Sequence, residues 1–128
     1  MTAQHYDYFV IGAGSGGVRS ARIAASHGVK VGIAERDRLG GTCVNIGCVP
    51  KKLFAYGADY GGSRADMAGY GWEGMEQTSF NWHTLRTNKN TEIARLNGIY
   101  QNLLENSGVD LFRGTARFID AHTIDING

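Results

Sequence analysis

The run Gly12-Ala13-Gly14-Ser15-Gly16-Gly17 has the spacing GxGxxG. It constrains the fold because it has meaning only with a buried strand before it and a helix after it. Both are legible here. "YDYFVIGAG", Tyr6 to Gly14, is apolar and β-branched up to its glycine break and reads as a buried strand. Gly16 to His27 reads as a helix lying close on a sheet, with Val18, Ala21, Ile23 and Ala25 separated by small residues and Gly28 as the stop. Val29 to Glu35 reads as the next strand, which completes a βαβ unit.

Glycines at Gly12, Gly14, Gly16 and Gly17 permit a tight turn. They let a pyrophosphate approach the helix N-terminus, where amides and the helix dipole favour negative charge. Glu35 ends the second strand about 20 residues beyond the turn, where a carboxylate accepts hydrogen bonds from an adenosine ribose. The blander alternatives are a packing turn and an ordinary strand-end carboxylate. Strand, helix and acidic residue together favour a dinucleotide, but they do not separate FAD from NAD.

Further along, Pro50 suits the first position of a helix running to about Tyr60, because a missing amide costs nothing there. The glycines from Gly57 to Gly74 read as loop and turn material, and Asp66 to Ser79 as irregular. From Asn81 to Asn106, Leu85, Ile93, Leu96, Ile99, Tyr100, Leu103 and Leu104 keep helical spacing and Gly108 supplies a stop, giving one long amphipathic helix. "VDLFRG" reads as a third parallel strand, and "TARFIDAHTIDING" as two short antiparallel strands around Asp120 to His122. The fold class is α/β: a Rossmann-like βαβ domain with a parallel sheet, a long helix and a small antiparallel pair. The closing Asn127-Gly128 pair is one that turns into another strand. Residues 1–128 are therefore expected to be the N-terminal part of an incomplete domain.

A net charge of +1, spread over 13 basic and 12 acidic residues, offers no stripe for nucleic acid. No run approaches the roughly 20 apolar residues of a membrane span. The N-terminus lacks the basic and long apolar regions of a secretory signal, so the expected compartment is the cytoplasm.

Both cysteines lie in "GGTCVNIGCVPKK", Gly40 to Lys52. A zinc site needs about four ligands, and none of His5, His27, His83 and His122 stands at ligand spacing to the pair, so no metal is expected and each histidine reads as a surface or loop residue. A staple across so short a loop constrains the unfolded chain little. Two small buried hydrophobes are the bland alternative. The redox reading has geometry behind it. On an ideal helix five residues span about 7.5 Å of rise, beyond the reach of a disulfide. Asn45 and Gly47 are poor helix formers that can distort the turn, and a bridge closed that way is strained and reducible. Cys48 stands just before the helix of Pro50, with Lys51 and Lys52 adjacent, so it is the expected thiolate.

That stretch resembles the redox motif of the flavin-dependent pyridine nucleotide-disulfide oxidoreductases, and the resemblance extends from "YDYFVIGAGSGG" to "RLNGIYQNLLENSGVDLFRGTARFIDAHTIDING". It implies that the glycine turn serves FAD rather than NADPH. Cys43 becomes the interchange thiol that attacks the substrate disulfide, and Cys48 the charge-transfer thiolate against the flavin. Ser15 and Gly16 are implied at the pyrophosphate, Glu35 at the ribose, and Thr42 and Cys43 in the flavin region. Lys51 is implied near the flavin ring nitrogen, in preference to Lys52, and the backbone of Ala116 at the adenine.

"PKK" after the second cysteine resembles the branches that reduce glutathione or trypanothione. Arg19 and Arg22 stand where the trypanothione branch bears an acidic residue and a tryptophan, and they suit the carboxylates of glutathione. By the same resemblance Arg22 contacts glutathione, Tyr100 lies between the two halves of the oxidised substrate, and Ser15 also lies on the substrate side. Without the resemblance, Arg22 is a solvated helix charge and Tyr100 a core residue. Glu92 departs from the pattern, at a position aromatic in many members of the branch. The implied activity is NADPH-dependent reduction of oxidised glutathione in redox homeostasis, by a homodimer whose NADPH and interface domains lie outside this chain, so the 128 residues alone are expected not to turn over. The alternative from another class is a nucleotide-binding or redox-sensing module without turnover.

Overall fold

The computed structural model describes residues 3–127 and contains the βαβ unit with trimmed strand ends. Strand β1 covers Tyr8–Ile11, helix α1 Ser15–Ser26 and strand β2 Val31–Glu35. The first strand stops short of the glycine break because Gly12 turns the chain with φ of 99°. Strand β3, Asp110–Arg113, pairs with the far edge of β2, so the sheet order is β1-β2-β3 with all pairs parallel. Val10 lies beside Ile33, and Ile33 beside Leu111.

The alternation of the strands sends Val10, Val31 and Ile33 to one face. There they meet Val18 and Ala21 of α1 and Leu104 from the long helix α5, Trp82–Glu105, with Leu39 and Val109 closing the cluster. Full burial of each Val, Ile or Leu contributes about 1.5–3 kcal/mol, so this face holds the domain together. α1 sits close on the sheet because Gly17 has no Cβ; one there would collide with the Gly12 carbonyl oxygen. On the other face Tyr6, Phe9 and Phe112 form an aromatic cluster, with Tyr6 edge-on to Phe9 at 5.5 Å and to Phe112 at 5.8 Å.

α5 begins one residue later than its sequence pattern suggests because Asn81 is its N-cap, its Oδ1 accepting from the Thr84 N–H at 3.0 Å. Two expectations need correction. The helix of Pro50, α3, covers Cys48–Gly62, so it starts two residues early and takes in the second cysteine. Pro50 is its third residue, still within the first turn where amides have no helical acceptor. Gly57, Gly61 and Gly62 are helical rather than loop residues, and at Gly57 a Cβ would lie 2.9 Å from Leu85 Cδ2, so the small residue lets α3 and α5 approach. Phe54 stacks on Trp82 at 5.3 Å across the same contact.

The segment read as irregular contains a short helix α4, Arg64–Met67, and two 3-10 turns, Ala68–Tyr70 and Met75–Gln77. Strands β4, Ala116–Phe118, and β5, Ile124–Ile126, form the expected antiparallel pair, with Ala116 opposite Ile126. Of the closing Asn-Gly pair, Asn127 has φ of 70° and Gly128 lies outside the described residues. Among the described residues no helix is long and apolar enough to cross a membrane.

Candidate active site

The carboxyl ends of the parallel strands gather the residues singled out in the sequence. Gly12 N–H donates to Ala34 O at 2.8 Å, and Gly114 N–H donates to Glu35 O at 2.9 Å, so the turn, the end of β2 and the approach to Ala116 share one edge of the sheet. Ligands of open α/β sheets bind at this edge. Glu35 is not a free strand-end carboxylate: Oε2 accepts from Ala13 N–H at 2.7 Å and Oε1 from Asp37 N–H at 2.8 Å. Two amides therefore fix its orientation beside the turn. The first hydrogen bond of α1 runs from Val18 N–H to Gly14 O, and no side chain caps the helix, so its leading N–H groups face the edge without a helical partner.

The glycine turn is fastened to the cysteine stretch. Gly40 N–H donates to Ala13 O at 2.8 Å, and Gly14 forms a parallel bridge with Gly40. Gly41, with φ of 60°, begins a short helix α2, Gly41–Asn45; a Cβ on it would stand 2.9 Å from Gly14 Cα. Helix α2 was not legible in the sequence, because glycine, threonine and asparagine are weak helix formers. Its Thr42 is exposed and Cys43 half-buried. The chain then leaves helical geometry at Ile46 (φ −140°, ψ 6°) and Gly47 (φ −124°, ψ −111°) before Cys48 starts α3. At Gly47 a Cβ would lie 2.9 Å from Thr42 O, so a glycine is what allows the second cysteine to fold back on the first.

Both cysteines are thiols here, Cys43 half-buried and Cys48 exposed. The Cys43 thiol is pushed above the ordinary thiol range, first by its hydrogen bond to Cys48, then by desolvation and by the negative charge of Cys48. A main-chain hydrogen bond from Cys48 and the charge of Lys51 pull it down. Cys43 thus holds its proton more tightly than a free thiol. The two lysines diverge: Lys51 acts on Cys43, whereas Lys52 Nζ lies 5.0 Å over the Tyr56 ring.

Ser15 and Tyr100 meet, their hydroxyl oxygens 3.3 Å apart, so Tyr100 packs against the core yet presents its hydroxyl at the glycine turn. Arg22 is two turns along α1, about 10 Å of rise from Ser15, and its Nε donates to Ser107 Oγ at 3.3 Å. Glu92 is engaged by Arg95 at 2.7 and 2.8 Å, which holds its carboxyl below the usual range. His5, His27, His83 and His122 are all exposed.

Two residues with structural weight here escaped the sequence reading. Asn45, 7% exposed, is the buried polar side chain among the described residues, and Asn97 of α5 donates to it at 2.9 Å. Asn45 was legible only as a poor helix former, whereas Asn97 interrupts the apolar stripe of its helix, four residues after Ile93 and three before Tyr100, and that polar residue at a core-facing position was the available signal.

A dinucleotide-type α/β fold whose glycine turn is fastened to a stretch with two thiols is the arrangement of thiol-disulfide oxidoreductases that work through a bound dinucleotide. The chain belongs to the pyridine nucleotide-disulphide oxidoreductase family, whose model matches residues 6–128 and whose fold is a Rossmann-type FAD-binding domain. It is 52% identical to a glutathione reductase of Burkholderia cepacia over 128 residues, covering 100% of this chain and 28% of that protein. It is 47% identical over 121 residues to a glutathione reductase of Nostoc sp., covering 94% of this chain and 26% of the relative. A glutathione reductase of Pisum sativum, chloroplastic or mitochondrial, is 41% identical over 138 aligned residues, covering 98% of this chain and 25% of the relative. The chain thus spans about a quarter of the length of these relatives.

Proposed function

We propose that this chain carries the flavin turn and the redox dithiol of a cytoplasmic, NADPH-dependent glutathione-disulfide reductase that serves redox homeostasis and works as a homodimer. The observation that carries the reading is the stretch holding the two thiols Cys43 and Cys48, fastened through Gly14, Gly40 and Gly41 to the glycine turn. The relatives' names support the substrate.

The residues present fit FAD: uncapped helix N–H groups at the turn for a pyrophosphate, and a carboxylate already oriented by two amides for a ribose. In this reading Gly12, Gly14, Gly16 and Gly17 shape the turn, Ser15 and Gly16 hold the pyrophosphate, Glu35 the ribose and the Ala116 main chain the adenine. Thr42, Cys43 and Lys51 border the isoalloxazine. When bound, FAD supplies two-electron transfer from NADPH to the Cys43–Cys48 disulfide.

The protein's own residues then handle the sulfur chemistry. Cys48 as thiolate takes the proton that Cys43 donates toward it, and the Cys43 thiolate attacks one sulfur of oxidised glutathione. One glutathione leaves and a mixed disulfide remains on Cys43. Cys48 gives up its proton and attacks Cys43 Sγ, expelling the second glutathione and closing the Cys43–Cys48 disulfide. One thiol-thiolate pair, one glutathione disulfide and one proton enter; one protein disulfide and two glutathione thiols leave. Tyr100 and Ser15 border the substrate, and Arg22 binds a glutathione carboxylate from further along α1.

The test is to add oxidised glutathione to the reduced Cys48→Ala variant and locate the adduct by mass spectrometry. Glutathione on Cys43 is expected; an unreactive Cys43 contradicts the assignment. Of the two GxGxxG runs, only that of residues 12–17 stands between a strand and a helix, the other, residues 69–74, lying among turns, so the 128 residues alone are expected to oxidise no NADPH with glutathione disulfide, and steady turnover by them would contradict the division of labour.

A further inference from the structure

The carboxamide of Asn45 sits between the cysteines in sequence and inside the domain in space. Its Nδ2 donates to Leu39 O at 3.0 Å and Gly41 O at 2.9 Å, and its Oδ1 accepts from Asn97 Nδ2 at 2.9 Å. Backbone carbonyls around Nδ2 fix the amide's orientation, since a flipped oxygen would face oxygens. Asn97 Nδ2 spends its other hydrogen on Leu39 O at 2.8 Å. Two amides thus clamp both ends of α2 to helix α5, which approaches from 52 residues away. The segment they hold contains Cys43, and it ends at the non-helical Ile46 and Gly47 that swing Cys48 back toward it.

We infer that Asn97, acting through Asn45, is a positioning residue that sets how readily Cys43 and Cys48 close into a disulfide. This rests on the reading of the two cysteines as a redox pair. Disulfide formation demands narrow geometry, and the advantage of an internal thiol over a free one is its pre-paid orientation. Without Asn97, Asn45 Oδ1 is left buried and unpaired and Leu39 O loses a donor, so the α2 turn gains freedom. Cys48 then encounters a mixed disulfide on Cys43 less often. The equilibrium is protein dithiol plus oxidised glutathione giving protein disulfide plus two glutathione thiols, and its constant falls.

The experiment equilibrates the purified full-length protein and its Asn97→Ala variant in buffers of reduced and oxidised glutathione, then traps thiols by alkylation and counts disulfide and mixed disulfide by mass spectrometry. The inference predicts an equilibrium constant lower by about tenfold or more in Asn97→Ala, with mixed disulfide at Cys43 accumulating. Asn97→Ser, too short to reach Asn45, is expected to match it and serves if the alanine variant does not fold. In Asn45→Ala the further loss of Asn97 should add little, because the two residues act as one unit. An unchanged or higher constant in a folded Asn97 variant overturns the inference while leaving the redox pair intact. A wild-type protein that forms no Cys43–Cys48 disulfide in any of the buffers overturns both.

Discussion

Gly14 and Gly41 touch backbone to backbone: a Cβ on Gly41 would stand 2.9 Å from Gly14 Cα, at a residue whose φ is 60°. Through this contact the glycine turn and the cysteine stretch behave as one piece. Gly41→Ala must therefore either push the two loops apart or give up its left-handed backbone. Strain and overlap together are expected to cost about 2–4 kcal/mol, read as a lower urea midpoint, and the flavin content of the purified protein should fall with it. Gly61→Ala, in open space on α3, is the control and should be neutral or stabilising by up to about 1 kcal/mol.

The Cys43 thiol is held above the ordinary range chiefly by Cys48. A raised thiol keeps its proton to higher pH, so the Cys43 alkylation rate in the reduced protein should rise only at pH above that of a free thiol. Cys48→Ala removes both the hydrogen bond and the charge that raise it, and the profile should move to lower pH. A profile that stays where it was would mean that desolvation, the second cause, dominates.

Lys51 lowers the Cys43 thiol and Lys52 lies over Tyr56. Lys51→Met should shift the same alkylation profile to higher pH, and Lys52→Met should leave it in place. Equal shifts in both variants would contradict the distinction between them.

Much of this arrangement was legible because the responsible signals are local. Gly12 to Gly17 between an apolar strand and a small-residue helix fixed the βαβ reading, and the helical repeat from Leu85 to Leu104 fixed α5. What stayed hidden depends on partners distant in the chain. Helix α2 exists because Asn45 and Asn97 clamp it and because Gly41 fits against Gly14, and no propensity records such contacts. Gly57 looked like turn material for the same reason: its helical role is visible only once Leu85 packs on it. The start of α3 at Cys48 rather than Pro50 was not readable, because Pro50 is compatible with any position in a first turn.

Tyr100 and Ser15 approach within 3.3 Å on an exposed edge. Tyr100→Phe should lower stability by less than about 1 kcal/mol, since the ring keeps its core contacts. If the hydroxyl serves oxidised glutathione, the KM for that substrate should rise about three- to tenfold with kcat changed less. A large stability loss with an unchanged KM would return Tyr100 to a purely structural role.

The most direct measurement is NADPH oxidation driven by oxidised glutathione in the full-length protein and in its Cys43→Ser variant, with the flavin absorbance of each recorded alongside. Loss of glutathione reduction at undiminished flavin content is the predicted result. Retained reduction in Cys43→Ser would contradict the assignment of Cys43 as the thiol that meets the substrate.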